Sequence, residues 1–437
     1  MLSLATQRQI DRWYPLKPVP VQLELVSCKA RFITVPAGRR SGKTERFKRK
    51  LVKTAMLREN AGRDYFAAAP TRDQAKKIFW NDLKKLSLST LHNKPPSETE
   101  LIITMPNEAR IHVIGLDKPE RIEGQVWGGG GVDEIANCKP TAWPENIKPA
   151  LDTINPLDPN YRAWCWLLGV PEGLNHYYDL DQYALSANDP DWASFSWHSS
   201  EVLPPDVIES AKRSMSSRQF RQEYEASFET AQGRIYDDYG IQNRTNETIQ
   251  PHEELLWFHD FNYTPLSSGV GVIRDNSIYC LDEVILTSAI SRQSALEFVE
   301  KYRDHQNKTV KIYGDPAGRA GEKHGHESDY TEIEAVLRDN GWKYTRCVKP
   351  AAPAIKDRQN SVRALICNAL GEVRLFVNPS RAPYTDKGLA TVQLKKGSTF
   401  QEEDGEFQHI TTAVGYMVDY IWPSNGPIEP VNVGFPT

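Results

Sequence analysis

The sequence predicts an α/β protein of two domains, and three features support that prediction. In the first half, apolar strands alternate with amphipathic helices, the order that builds a mainly parallel sheet with helices on both faces. After a polar, turn-rich stretch, strand-like patterns start again near residue 255. The length of 437 residues also exceeds what one compact core accommodates. We expect a first domain at 1–230, a connection at 231–254, a second domain at 255–422 and a flexible tail at 423–437.

The composition is that of a soluble globular protein, with 39% apolar and 25% charged residues. No run of about 18 apolar residues occurs, so no membrane span is expected, and the first ten residues lack the apolar stretch of a signal peptide. The six cysteines are scattered and never form C-x-x-C, so neither structural zinc nor a disulfide framework is expected. Residues 1–100 hold 21 Lys/Arg against 9 Asp/Glu, which suits either a phosphate-facing surface or an ordinary solvated one.

The individual elements follow from periodicity and turn residues. In the first half, strands are predicted at 31–36, 64–69, 101–104, 109–114 and 161–171, and helices at 45–58, 74–86 and 210–229. In the second half, strands at 255–261, 268–273 and 277–286 are consecutive and predict an antiparallel meander. A helix at 291–305, a strand at 309–314 and a terminal helix at 411–421 follow. No apolar strand is predicted before Asp133, because residues 128–131 are all glycine.

A glycine-rich loop between the first strand and the next helix carries the pattern of a phosphate-binding loop. Small residues let backbone N–H groups close around phosphate oxygens, a lysine adds positive charge, and a hydroxyl at the helix start suits Mg²⁺. Ala37 stands where the first glycine of the usual pattern falls. The alternative is a glycine-rich turn with a surface lysine. The loop comprises Gly38, Arg39, Arg40, Ser41, Gly42, Lys43 and Thr44.

Asp133 and Glu134 are the candidate acidic partners of this loop. We expect Asp133 to hold Mg²⁺ through water and Glu134 to polarise the water that attacks the γ-phosphate. The alternative is an acidic surface turn. Arg39 or Arg40 is expected to reach the γ-phosphate and stabilise its charge, unless it is simply a surface cation.

Several segments, taken in order, resemble the large subunit of tailed-phage terminases. The resemblance implies a P-loop ATPase of ASCE (RecA-like) type followed by a nuclease of RNase H-like fold. It further implies ATP-driven translocation of double-stranded viral DNA through the portal into the procapsid, and metal-dependent cutting of concatemeric DNA. The segments are Gln22, 38–44, 68–76, 121–124 leading to 133–134, 169–173 and 220–228.

The resemblance also implies roles for particular residues. Gln22 would contact adenine, and Lys43 and Thr44 the phosphates of ATP and its Mg²⁺. The 169–173 turn would couple nucleotide state to DNA movement, although Gly169 stands where Ser or Thr is usual.

In the second half, the resemblance places two Mg²⁺ or Mn²⁺ ions at the strand-end acids Asp260 and Asp315, with His409 as a further ligand. Thr412 stands where the family's third carboxylate is expected. We therefore expect the second ion to bind weakly and cleavage to be slow or to need Mn²⁺ or high Mg²⁺. Substitutes considered for the third carboxylate are Asp404, Glu406, Asp419 and Glu283, the last being equally suited to a structural role.

The partners that the resemblance implies are double-stranded DNA, the portal protein, a small terminase subunit and other copies in a ring, expected to be a pentamer. No membrane partner is expected. The implied location is the host cytoplasm, with transient docking on the procapsid and absence from the mature virion. Two other interpretations remain: a helicase or repair ATPase with a nuclease-like accessory domain, which should carry a second RecA-like core, and a non-catalytic capsid or scaffold component.

Overall fold

The computed structural model describes residues 13, 16, 19–88, 92, 94–154, 158–229, 233–261, 265–287, 289–319, 328–395, 398 and 400–424. The chain divides into two compact units. The first comprises Met1–Ile208 with Arg221–Thr230, and the second comprises Glu209–Phe220 with Ala231–Thr437. Most of the predicted tail, from residue 425 onward, lies outside the described residues. Where the structure describes the chain, no helix has both the length and the apolar character to cross a membrane.

The first unit is built on a seven-stranded sheet with the order β3-β4-β2-β5-β6-β1-β7. Only the β3–β4 pair is antiparallel; the other neighbours pair in parallel. The strands are β1 (Phe32–Pro36), β2 (Asp64–Ala69), β3 (Ile102–Thr104), β4 (Arg110–Gly115), β5 (Trp127–Val132), β6 (Trp164–Gly169) and β7 (Trp192–Ser194). The predicted mainly parallel sheet is confirmed.

Helices cover both faces of this sheet because successive strand residues point to opposite sides. One apolar core joins the sheet to α1, α2 and the segment 72–86, and the other joins it to α5 and α6. The helices are α1 (Pro20–Ser27), α2 (Lys43–Met56), α3 (Arg72–Ala75), α4 (Asn81–Leu86), α5 (Lys148–Asp152) and α6 (His176–Ser186), with π-helical turns at Lys76–Trp80 and Ala142–Ile147. The helix predicted at 74–86 thus contains a π-helical segment.

The glycine-rich segment before Asp133 is a fully buried strand, contrary to expectation. β5 lies in the middle of the sheet, between β2 and β6. A Cβ atom on Gly129 would lie 2.4 Å from the Trp164 ring, and one on Gly131 would lie 2.4 Å from the Phe47 ring. Side chains of neighbouring elements therefore supply the packing that β5 itself lacks, which is why its own sequence does not look like a core strand.

The second unit is built on a six-stranded sheet with the order β12-β11-β8-β9-β10-β13. β8, β9 and β10 pair in antiparallel fashion, as predicted. On one side, β11 pairs in parallel with β8, and β12 pairs in parallel with β11. On the other side, β13 pairs in parallel with β10. The strands are β8 (Leu255–Asp260), β9 (Leu266–Arg274), β10 (Ser277–Leu286), β11 (Thr309–Gly314), β12 (Lys343–Arg346) and β13 (Leu375–Val377).

Helices also cover both faces of the second sheet. α9 (Ser291–Lys301) and α10 (Asp329–Asp339) share one apolar core with it. α11 (Ile355–Ile366), α12 (Pro383–Thr391) and α13 (Gln408–Ile421) share the other. The terminal helix α13 begins three residues before its predicted start, which brings His409 into its first turn.

Two further predicted segments differ in the structure. The predicted connection 231–254 is not a free linker where it is described, because Ile235, Tyr236 and Tyr239 are buried in the core of the second unit. The helix predicted at 210–229 is two helices, α7 (Pro205–Ser214) and α8 (Ser217–Tyr224). Residues 209–220 belong to the second unit and 221–230 to the first.

Replacement of Gly130 by alanine tests the packing of β5. The added Cβ would lie 2.5 Å from Phe66 ring carbons and 2.5 Å from the Phe66 carbonyl oxygen. We expect Gly130→Ala to lower the free energy of unfolding by roughly 1–3 kcal/mol or more, since such overpacking forces backbone shifts. Denaturant unfolding measures the change. Gly405→Ala is the matched control, because a Cβ there meets no atom within 4 Å; equal stability of both variants would contradict the packing account.

Candidate active sites

The first candidate site lies where β1 passes through residues 37–42 into α2. Gly42 adopts the left-handed conformation, with φ +88°, which glycine adopts without strain and which turns the chain into the helix. The buried Lys43 side chain folds back over the loop, and its Nζ donates to the carbonyl oxygens of Ala37 and Gly38 at 3.3 and 3.4 Å. The loop therefore has the strand–turn–helix form of a phosphate-binding loop.

Thr44 and Asp133 meet as predicted for a metal-supporting pair. The Thr44 hydroxyl donates to Asp133 Oδ2 at 2.7 Å, and Asp133 is 3% exposed. Hydroxyl and carboxylate oxygens are the ligands that Mg²⁺ prefers. The donor atoms present here therefore fit the ion expected with ATP.

Glu134 follows at the end of β5 in a left-handed conformation, with φ +55°. Burial raises the pKa of Glu134, the adjacent Asp133 raises it further, and Lys43 and Arg39 oppose the rise. A partly buried carboxyl with a raised pKa, beside a phosphate-type loop, suits proton transfer near neutral pH better than an ordinary surface acid.

The rest of the predicted nucleotide site shows how the loop is held. Gln22 is buried and donates from Nε2 to the Ser41 carbonyl at 2.8 Å, while its Oε1 accepts from Arg46 at 2.9 Å. Gln22, the residue predicted to contact adenine, therefore stabilises the loop through these two hydrogen bonds. Arg39 forms an ion pair with Glu223 at 2.5 Å, and Arg40 is exposed with φ +57°.

Three residues that sequence reasoning did not select also fix the loop. Trp197 Nε1 donates to the Ser41 carbonyl at 3.1 Å, and the Ser199 hydroxyl donates to the Arg39 carbonyl at 2.7 Å. The Glu223 carbonyl accepts from the Arg39 N–H at 2.6 Å. Only Glu223 lay in a segment that the resemblance had marked.

The second candidate site lies at one edge of the second sheet. β8 and β11 are parallel neighbours and Gly314 pairs with His259, so Asp315 and Asp260 follow paired residues at the same edge. His409 reaches this edge from α13, with Nδ1 2.9 Å from Asp260 Oδ2. Oxygen and imidazole donors suit a divalent ion. Among the described residues, however, no group of three or more Asp, Glu, His or Cys side chains is arranged to hold a metal ion.

The four suggested substitutes for the third carboxylate do not complete the site. Asp419 forms an ion pair with Lys349 and accepts from the Ser361 hydroxyl. Glu406 accepts from the Tyr384 hydroxyl, and Asp404 is exposed. Glu283 accepts the N–H groups of Tyr384 and Thr385 at 2.8 and 3.0 Å, so it caps α12. A structural role for Glu283 is thus the one that the geometry favours.

Thr412, at the position of the expected carboxylate, is surrounded by polar side chains that sequence reasoning did not select. Its hydroxyl donates to Glu402 Oε2 at 3.3 Å and accepts from Gln408 Nε2 at 3.1 Å. Arg358 lies 3.5 Å from the same hydroxyl. Gln408 and Glu402 lie within ten residues of Thr412, whereas Arg358 comes from a distant segment, so no local pattern indicates its place in the cluster.

The fold places the chain in a class. β6 lies between β1, which leads into the loop, and β5, which ends at Asp133; this is the strand order expected of an ASCE (RecA-like) P-loop unit. It is followed by an RNase H-like α/β unit with acids at the ends of two adjacent parallel strands.

The comparisons with known proteins agree with this class. No protein-family model matches the chain. The large terminase subunit of Escherichia phage T5 is 29% identical over 107 residues, which are 24% of this chain and 23% of the relative, so the chain spans about a quarter of the curated relative it matches.

Solved structures extend the similarity over nearly the whole chain. The large terminase of a thermophilic bacteriophage gives a TM-score of 0.59 at 17% identity, over 96% of this chain and 98% of that one. The complex of that terminase with ATP-γ-S gives 0.55 at 16% identity, over 95% and 98%. The resemblance indicated by the motifs is confirmed: the chain is similar in sequence to a phage large terminase subunit and has the fold of these proteins.

Proposed function

We propose that this protein is a DNA-packaging motor of the large terminase type, with an ATPase site in the first unit and a divalent-metal-dependent endonuclease site in the second. The observation that carries the proposal is the meeting of Lys43, Thr44, Asp133 and Glu134 at one edge of the first sheet. The large terminase structures of the thermophilic bacteriophage, one of them with ATP-γ-S, support it.

In the first unit, the loop N–H groups and Lys43 bind the β- and γ-phosphates of ATP, and the exposed Arg40 and the Glu223-paired Arg39 add positive charge beside them. Thr44 and Asp133 would hold Mg²⁺, which neutralises charge on the phosphates. Glu134 orients a water molecule in line with the γ-phosphate and takes up its proton. Gln22 stabilises the conformation of the loop. The proposed adenine contact would use the hydrogen-bond donor and acceptor capacity that remains on the Gln22 amide.

In the second unit, Asp260, Asp315 and His409 would be ligands of the two Mg²⁺ or Mn²⁺ ions proposed for strand scission, and their side chains would have to move to complete a metal-binding group. Bound ions would lower the pKa of water and polarise phosphate oxygens. We propose that the DNA is bound mainly through its phosphates and therefore without sequence preference. The partners proposed are the portal protein, a small terminase subunit and further copies in a ring, in the host cytoplasm and docked transiently on the procapsid.

The helicase interpretation is less well supported. It requires a second RecA-like core, whereas the second sheet has an antiparallel β8–β9–β10 meander at its centre. A structural role leaves the buried Lys43, the Thr44–Asp133 pair and the acids at the second sheet edge without a purpose.

Two substitutions should separate the two activities. Glu134→Gln keeps the shape of the side chain but cannot take up a proton, so we expect ATP turnover to fall about 10²–10⁴-fold while nicking of supercoiled plasmid persists. Asp260→Asn should abolish nicking and leave nucleotide hydrolysis unchanged. Steady-state phosphate release and plasmid nicking in Mn²⁺ measure the two. Normal turnover in Glu134→Gln would refute the ATPase assignment, and normal nicking in Asp260→Asn would refute the nuclease assignment.

The acid limb of the pH profile of ATP hydrolysis should also be shifted to higher pH. Glu134 acts as its carboxylate, and because burial and Asp133 raise its pKa above the ordinary 4.5, the inactive protonated form accumulates at a higher pH than usual for glutamate. Turnover should therefore decline as the pH falls through an apparent pKa above 4.5. A pH profile of the turnover rate checks this. Activity that stays constant down to the ordinary glutamate range would contradict the expected environment of Glu134.

A further inference from the structure

The turn that follows Glu134 is attached to the first residues of α6. The chain forms a short 3₁₀ turn directly after Glu134, and two side chains of α6 donate to its carbonyl groups. His176 Nε2 lies 2.9 Å from the Ile135 oxygen, and Asn175 Nδ2 donates to the Ala136 oxygen at 3.1 Å. The backbone next to the proposed catalytic carboxylate is therefore held by two side-chain hydrogen bonds.

α6 is itself fixed to the sheet at this end. Asn175 Oδ1 accepts from the Tyr177 N–H at 2.9 Å and so caps the helix. Tyr177 is fully buried, and its hydroxyl donates to the Leu167 carbonyl of β6 at 3.1 Å. A Cβ on Gly169 would lie 3.2 Å from the Tyr177 ring and 3.6 Å from the Ile135 nitrogen. The start of α6, the end of β6 and the turn after Glu134 are therefore closely packed.

The partners of Asn175 and His176 define how both side chains are oriented. Burial lowers the pKa of His176, while the Ile135 carbonyl and Asp179 oppose the shift. A neutral imidazole carries one N–H, and because the Ile135 oxygen can only accept, that N–H is on Nε2. Asn175 uses both ends of its amide, the oxygen in the cap of α6 and the nitrogen on the turn.

Glu134 has a backbone conformation that requires support of this kind. Its φ of +55° and ψ of +43° lie in the left-handed region, which is unfavourable for a residue with a side chain and persists where the surrounding structure fixes it. Burial raises the pKa of its carboxyl, and Lys43 and Arg39 of the loop oppose the rise, so the side chain lies near their charges. A turn released from α6 would let this carboxylate move relative to the loop.

We propose that Asn175 and His176 are positioning residues for ATP hydrolysis, which hold the backbone after Glu134 and thereby keep its carboxylate beside the glycine-rich loop. This inference rests on the proposed ATPase function of the first unit. It concerns the turnover rate and not nucleotide binding, because the loop and Asp133 are held by other contacts.

Asn175→Ser and His176→Phe test the proposal in the full-length protein. Serine caps a helix about as well as asparagine but has no amide N–H for the Ala136 carbonyl, and phenylalanine keeps a ring without a donor. We expect each variant to lower kcat about 10- to 100-fold, since a displacement of about 1 Å can cost this much, while the Kd for ATP-γ-S with Mg²⁺ stays within about twofold of the parent's. His176→Gln retains an N–H donor and should recover most of the turnover.

Asn107→Ala is the matched control for a structural effect. It removes two hydrogen bonds from an asparagine amide to backbone carbonyls, those of Ala55 and Leu57, at the end of α2 opposite the loop. Its kcat should equal the parent's even where its melting temperature falls. A loss of turnover in Asn107→Ala as large as in Asn175→Ser would show that general destabilisation, and not positioning, lowers the rate.

Other outcomes would also overturn the proposal. A parental kcat in folded Asn175→Ser or His176→Phe would remove that residue from the positioning role, and a loss of ATP-γ-S binding in step with kcat would place the effect on the nucleotide site. A rate in His176→Gln as low as in His176→Phe would exclude the hydrogen bond as the cause. Thermal melting monitors folding, and Asn175→Ser decides the question if His176→Phe does not fold. The ATPase assignment is tested separately, because it fails only if Glu134→Gln keeps normal turnover.

Discussion

The hydrogen-bond register across β6 is the constraint on which the first site depends. Thr34 of β1 and Val132 of β5 both pair with Leu167 of β6, so β5 ends level with Thr34, two residues before the end of β1 at Pro36. Parallel strands present their carboxyl ends at one edge of a sheet, where ligands bind in open α/β folds. Asp133 therefore leaves β5 beside the last residues of β1, near the glycine-rich loop, where its Oδ2 accepts from the Thr44 hydroxyl at 2.7 Å.

The close approach that this register requires explains the composition of β5. A strand with ordinary side chains would clash with the rings of Phe47, Phe66 and Trp164, which occupy the space above and below it. Glycine in the middle of a strand loses more conformational freedom than other residues, and the aromatic packing of the neighbours offsets that cost. Strand pairing has the same effect in the second unit, where the parallel register of β8 and β11 brings Asp260 and Asp315 to one edge of the second sheet.

Local patterns predicted much of this architecture. β2, β10 and β11 match their predicted bounds, and the glycine-rich loop 38–44 lies between β1 and α2 as expected. β5 could not be predicted, because the residues that bury it lie elsewhere in the chain. The 231–254 segment looked like a linker since it is polar, yet Tyr236 and Tyr239 are buried by tertiary packing.

The same distinction applies to the sites. Strand ends and a family resemblance predict Asp260, Asp315 and His409 as site residues, and Thr412 departs from the pattern of that family. The Arg358–Glu402 pair joins residues far apart in sequence, so only the folded chain brings it into view. The role of Glu283 was undecided from sequence, because its burial and its cap on α12 depend on the register of β10.

The central claim is that Thr44 and Asp133 form the Mg²⁺-supporting pair of a nucleotide site, and its most direct test is equilibrium ATP binding with and without Mg²⁺. In the parent protein, Mg²⁺ should tighten ATP binding. In Asp133→Asn, the Mg²⁺-dependent gain should disappear while binding of metal-free ATP stays as in the parent, because Lys43 and the loop N–H groups are unchanged. If Asp133→Asn kept the full Mg²⁺-dependent gain, the assignment of this pair would be wrong.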